Sequence, residues 1–395
     1  MAEKNLDFDE IINRRNTGCL KYDFAERRGY PADVLPLWVA DMDFRTSSYV
    51  EEALSSLSRF NLYGYINTQP GDGFLEAVAG WMKRHHRWDV QPEWLVKTPG
   101  VCFAISMAIR AFTRPGDAVL VQQPVYYPFS SLVRANGRKL VSSDLRQETD
   151  GRYVTDFEDF EQKIVENNVR LFILCNPHNP VGRSWTAKEL LRIGRICRDH
   201  GVIVFSDEIH FDLVWTEEHQ VFQTLDPTFP EFTLTATSPS KTFNLAGLQQ
   251  SNIFVPNELL RKSFLCEIGM TGYDEPNIFG IAATKAAYTL GDEWYKTMKD
   301  YVWGNIRFAS RFIRERLPGV TVREPEATYL MWLDFRGTGL PPAELEDLVV
   351  RRAGLWLDRG EMFGKSGSGF ERINAACPRA TLTAALERLE KALAH

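Results

Sequence analysis

Five short runs between residues 118 and 255 are rich in apolar residues: Ala118-Val119-Leu120-Val121, Leu171-Phe172-Ile173-Leu174-Cys175, Val202-Ile203-Val204-Phe205, Phe232 to Thr237 with threonine at alternate positions, and Asn252-Ile253-Phe254-Val255. A strand with one face in water alternates apolar and polar residues; a run with no polar side has both faces covered. The intervening segments supply the cover. "TAKELLRIGRICRDHG" opens on Thr186 with Glu189 three residues on, a capping box, keeps Leu190, Ile193 and Cys197 at helical spacing, and closes on Gly201. Buried strands alternating with amphipathic helices predict an α/β layer domain around a mostly parallel sheet over about residues 75–290.

At 395 residues the chain is too long for that core alone. The tail changes character: "ATYLMWLDF", then a Gly-rich loop at 364–369, then a helix with Leu382, Leu386, Leu389 and Leu393 on one face. The division expected is an N-terminal arm contributing to a small domain (1–44), a large domain (45–290) and a small C-terminal domain (291–395). The net charge of −6, without a basic run, argues against nucleic acid or an anionic membrane as partner. No apolar run reaches the roughly 18 residues of a membrane span. The charged start Met1–Asp7 lacks a signal-peptide core, and six scattered cysteines show no metal-ligand spacing. A cytoplasmic protein with reduced thiols and no metal site is expected.

Polar groups cluster just past the apolar runs, where ligands gather in an open parallel sheet. "QQPVYYPF" brings Tyr126 and Tyr127, "CNPHNPVGR" brings Asn179, "SDEIH" brings Asp207 and His210, and "SPSK" brings Ser238, Ser240 and Lys241. Singly, each has a plain reading: an Asn-Pro turn, a helix cap, packing rings, a solvated cation. Together, at successive strand ends, they predict convergence of an amine, a carboxylate, an amide and an aromatic ring. "TPGVCFAISMAIRAF" adds Gly100 at the start of a helix running to about Phe112, whose first amides attract an anion.

This set resembles the fold-type I pyridoxal-phosphate enzymes of the aminotransferase superfamily. "LPLWVADMDF", "SDEIHFDLV", "SKTFNLAGLQQSN" and "FERINAACPRATL" resemble specifically its cystathionine β-lyase branch, over about Phe8 to Leu393. The resemblance implies a three-layer large domain plus a smaller α/β domain built from both chain ends. It implies that Lys241 binds the aldehyde of pyridoxal 5'-phosphate covalently, that Asp207 faces the ring nitrogen, and that Tyr126 stacks on the ring. Asn179 lies beside the ring hydroxyl and His210 near the same edge, unless His210 is structural. The amides of Val101 and Cys102 after Gly100, with Ser238 and Ser240, complete the cofactor site. Where many relatives carry a phosphate-binding arginine, this chain has Gln249. Tyr65 of "YGYINT" is implied to reach the phosphate across a homodimer interface. Arg372 is implied to clamp the substrate carboxylate, with Asn179 and Tyr126 alongside it.

The implied activity is β-elimination from cystathionine, cysteine or related S-substituted cysteines, giving a thiol, pyruvate and ammonia, with Lys241 as the base. An aminotransferase with the same cofactor site is the second reading, and a cofactor-binding regulatory protein the third.

Overall fold

The computed structural model describes residues 3–66 and 71–394. Its main sheet has seven strands: β1 (Leu95–Thr98), β2 (Ala118–Val121), β3 (Lys139–Ser142), β4 (Leu171–Cys175), β5 (Ile203–Asp207), β6 (Thr233–Thr237) and β7 (Ser251–Phe254), in the order β1-β7-β6-β5-β4-β2-β3. Strands β3, β2, β4, β5 and β6 pair in parallel. The run at 252–255 departs from its parallel neighbours: β7 is antiparallel to both β6 and β1.

The apolar runs have two buried faces because alternate residues serve different layers. Val119, Val121, Leu171, Ile173, Phe205 and Leu234 pack in one cluster with Ala104, Ile105 and Ile109 of helix α1 (Val101–Phe112). Ala118, Leu120, Phe172, Leu174 and Val204 pack on the opposite side with Leu190, Ile193 and Cys197 of helix α2 (Ala187–Asp199). The result is a helix–sheet–helix sandwich. The capping box of α2 is present, Thr186 accepting from the Glu189 amide at 3.3 Å and Glu189 from the Thr186 amide at 2.9 Å.

A second, antiparallel sheet comprises β8 (Thr321–Val322), β9 (Leu330–Asp334), β10 (Asp358–Arg359) and β11 (Phe370–Asn374), in the order β8-β9-β11-β10. Helices α3 (Asp292–Arg316) and α4 (Arg379–Leu393) share its core, where Leu382, Leu386 and Leu389 are fully buried. Leu35–Pro36 pairs in parallel with Leu355–Trp356, joining the two ends of the chain. Among the described residues, no helix is long and apolar enough to cross a membrane.

Candidate active site

Strands β4, β5 and β6 point their carboxyl ends the same way, with Cys175 opposite Asp207 and Asp207 opposite Ala236. The loops leaving these ends, the start of α1 and Tyr126 after β2 enclose a cavity of about 260 Å³. Gly100, Val101, Cys102, Tyr126, Asn179, Asp207, His210, Ser238, Ser240 and Lys241 all line it. Of the residues singled out from the sequence, Tyr65, Tyr127 and Arg372 do not.

The Lys241 turn is built by its neighbours. Ser238 caps the one-turn helix Pro239–Thr242, accepting from the Ser240 amide at 3.1 Å and donating to the Gln250 carbonyl at 2.7 Å. Lys241 is half-buried, and its Nζ donates to the Ala40 carbonyl at 2.7 Å. Burial holds the amine below the usual lysine range against the attraction of Asp41, and the Arg372 charge pushes the same way as burial.

Asp207 ends β5 and is buried, with Oδ1 accepting from the Ile209 amide at 3.1 Å. Burial pushes its carboxyl up to about 7, although that amide and the Lys241 charge both pull it down. His210 is buried and held well below the usual histidine range, so its ring is neutral; its Nδ1 has no hydrogen-bond partner among the described residues.

Arg372 lies immediately behind the cavity wall. Its Nη1 donates to Asn179 Oδ1 at 2.9 Å, and its Nη2 donates to the Trp38 carbonyl at 2.9 Å and to Asp358. Asp358 is its cross-strand neighbour on β10. The guanidinium therefore bridges the small sheet, the N-terminal segment and a cavity-lining amide. Tyr65 is 93% exposed. It borders a neighbouring depression that shares Pro99 and Gln249 with the cavity, and Asn67 and Thr68 of its motif fall outside the described residues.

Sequence reasoning missed Ala40, Cys175, Gln250, Ser251, Tyr329 and Asp358. Ala40 acts through its carbonyl, which also accepts from Tyr329 Oη at 2.9 Å. A main-chain contact leaves no residue-type signature. Asp358 becomes visible only when strand register sets it beside Arg372.

The model of the aminotransferase class I and II family matches residues 32–389. The chain belongs to this family. It is 43% identical to cystathionine beta-lyase PatB of Bacillus subtilis (strain 168) across 98% of this chain and 100% of that one. Cystalysin from Treponema denticola, whose crystal structure contains pyridoxal 5'-phosphate, superposes with a TM-score of 0.94 at 36% identity, covering 98% of each chain. The pyridoxal-phosphate-bound C–S lyase of Staphylococcus hominis gives a TM-score of 0.91 at 32% identity, again over 98% of each chain. These matches agree with the α/β layers and seven-stranded sheet described above.

Proposed function

We propose that the chain is a pyridoxal-5'-phosphate-dependent carbon–sulfur lyase, acting by β-elimination on cystathionine, cysteine or a related S-substituted cysteine. The observation that carries this reading is an amine of lowered basicity and a buried carboxylate lining one cavity at the start of a helix. The lyases similar to this chain over nearly its whole length support the same class.

The residues fit the cofactor. Asp207 is a buried acid whose charge gains from a cationic N–H, such as a protonated ring nitrogen. Gly100, at φ 128°, has no atom within 4 Å of the place a Cβ would occupy, and no side chain caps α1. The amides of Val101 and Cys102 are thus a cradle for a phosphate, beside the Ser238 and Ser240 hydroxyls. Tyr126 supplies a ring wall.

When bound, pyridoxal phosphate supplies an aldehyde carbon for an amine and an electron-withdrawing ring. Lys241 would hold the cofactor through its amine, and that amine, when free, would take the proton from the substrate Cα. Asp207 would hold a proton at the cofactor's ring nitrogen. Asn179 and Arg372 orient the substrate carboxylate, a planar fork suiting a planar acid. The Cβ–S bond breaks with its electron pair leaving on sulfur, and Lys241 returns the proton to the thiolate. The released enamine hydrolyses to pyruvate and ammonia. His210 lines the same cavity as a neutral group.

We read the chain as an arm (1–44), a large domain (45–290) and a small domain (291–395), assembled as a homodimer in which Tyr65 serves the neighbouring subunit's phosphate. The parallel pairing of Leu35–Pro36 with Leu355–Trp356 and the exposure of Tyr65 support this.

Two measurements test the function. Borohydride reduction of the cofactor-loaded protein followed by peptide mass spectrometry is expected to place the cofactor on Lys241. Incubation with cystathionine and no keto acid is expected to release pyruvate and homocysteine continuously. A single turnover that stops with the amino form of the cofactor makes the chain an aminotransferase instead.

A further inference from the structure

The Lys241 amine meets a main-chain carbonyl, and the segment bearing that carbonyl is held to an unusual degree. Five successive carbonyls each accept from a side chain. Trp38 receives Arg372 at 2.9 Å, and Val39 receives Asn374 at 2.7 Å. Ala40 receives Lys241 at 2.7 Å and Tyr329 at 2.9 Å. Asp41 receives Asn374 at 2.6 Å, and Met42 receives Asn244 at 2.9 Å and Arg14 at 3.1 Å. The segment has almost no freedom to adjust to whatever Lys241 does.

Its side chains are pinned as well, by charge. Arg14 pairs with Asp41 and Asp43, both at 2.6 Å. Lys21, whose side chain is wholly buried, pairs with Asp43 at 2.7 Å and Asp41 at 3.3 Å. Both cations come from the irregular arm before the segment. Breaking a buried ion cluster on one side leaves a desolvated charge, so such a cluster fixes geometry more surely than it adds stability. Of the two carboxylates, only Asp41 adjoins Ala40. The charged groups acting on the Lys241 amine are Asp41 on this segment, Asp207 ending β5 and Arg372 on β11; the Cys102 thiol on α1, pushed up by burial, and neutral His210 after β5 also face it.

We propose that Asp41, clamped by Arg14 and Lys21, is a positioning residue for Lys241: it fixes the Ala40 carbonyl against the amine and sets its own charge at that amine's side. This rests on the reading of Lys241 as the reactive amine, and it assigns the N-terminal arm a part in tuning that amine.

Asp41 and Asp43 form a matched pair for the test. Each sits in the same ion cluster and bonds the same two cations. Asp41→Asn and Asp43→Asn are therefore expected to lower the melting temperature similarly. The readout that separates them is the pH midpoint of the Lys241 amine. It is measured on the full chain, stripped of cofactor with hydroxylamine, by competitive acetic-anhydride labelling and mass spectrometry. A carboxylate favours the ammonium form, so Asp41→Asn is expected to lower the midpoint by at least about half a pH unit, roughly threefold in the proton equilibrium. Asp43→Asn is expected to leave it within experimental error. Arg14→Met leaves Asp41 less neutralised and is expected to raise the midpoint. If Asp41→Asn does not fold, the sign of the Arg14→Met shift decides alone. Equal shifts in the two Asn variants, no shift in Asp41→Asn, or a fall in Arg14→Met overturns the proposal. Because the labelling needs no cofactor, a failed borohydride trap at Lys241 would sink the functional reading and leave this result standing.

Discussion

Asp207 is costly to the fold and, in the proposed reaction, useful to the chemistry. Burial pushes its carboxyl from the ordinary 3.8 up to about 7. A raised pKa means the folded state holds the proton longer than the unfolded state, so stability falls as pH climbs from about 4 through 7. Asp207→Asn is therefore expected to raise the melting temperature of the cofactor-free protein at pH 8 by a few degrees and to do little near pH 4. The same variant is expected to lose on the order of a hundredfold or more in pyruvate release, the scale for removing one charge-stabilising group from a reaction. Scanning calorimetry at the two pH values and a coupled assay check both halves. At Arg372, lysine keeps the charge but not the fork. Arg372→Lys is expected to raise KM for the amino-acid substrate about tenfold to a hundredfold, the worth of one charge-assisted hydrogen bond. Binding of the cofactor, followed by absorbance, should change much less.

Helix α2 shows how the elements are fitted rather than merely formed. Gly194 sits buried on it, and a Cβ there would lie 2.1 Å from the Phe229 ring. Alanine is the better helix former by about 1 kcal/mol, yet the clash makes Gly194→Ala destabilising by about 1–3 kcal/mol in urea titrations. Thr186→Ala removes the cap at the same helix's start and is expected to cost about 1 kcal/mol. That cap was legible in the sequence because it is local. So were the inner strands, since burial on both faces leaves few charged positions. Strands β1 and β3 at the sheet's two edges were not: Leu95 to Thr98 alternates half-buried with buried residues, and Lys139 is exposed. The direction of β7 was hidden for another reason. An apolar run reads the same either way, and only the link from β6, a one-turn helix and a 3-10 turn rather than a crossover helix, permits the antiparallel return. In the site, Lys241, Asp207 and Asn179 were legible because each ends or follows its strand. Ala40 and Asp358 owe their places to contacts between distant segments, which no local spacing records.

For the molecule as a whole, the helix Ser48–Phe60 ends in a run of exposed apolar side chains. Phe60, Leu62, Tyr63 and Tyr65 are 69%, 64%, 55% and 93% exposed. Contiguous apolar surface of this kind marks an interaction site, and the proposed homodimer covers it. If Tyr65 serves the opposite subunit, Lys241→Ala and Tyr65→Ala chains, each inactive or weakened alone, should regain activity when mixed as heterodimers, because one site per dimer then has both residues. Sedimentation of the mixture together with pyruvate release checks this; recovery absent from a confirmed heterodimer would place Tyr65 outside the site. The far-separated pairing of Leu35–Pro36 with Leu355–Trp356 carries a consequence for synthesis. The stretch that presents Ala40 to Lys241 is gripped by Arg372 and Asn374, far downstream of that lysine in the chain. A chain still emerging from the ribosome has its lysine long before it has those grips, so the proposed chemistry waits until the segment bearing Arg372 and Asn374 has been made and folded.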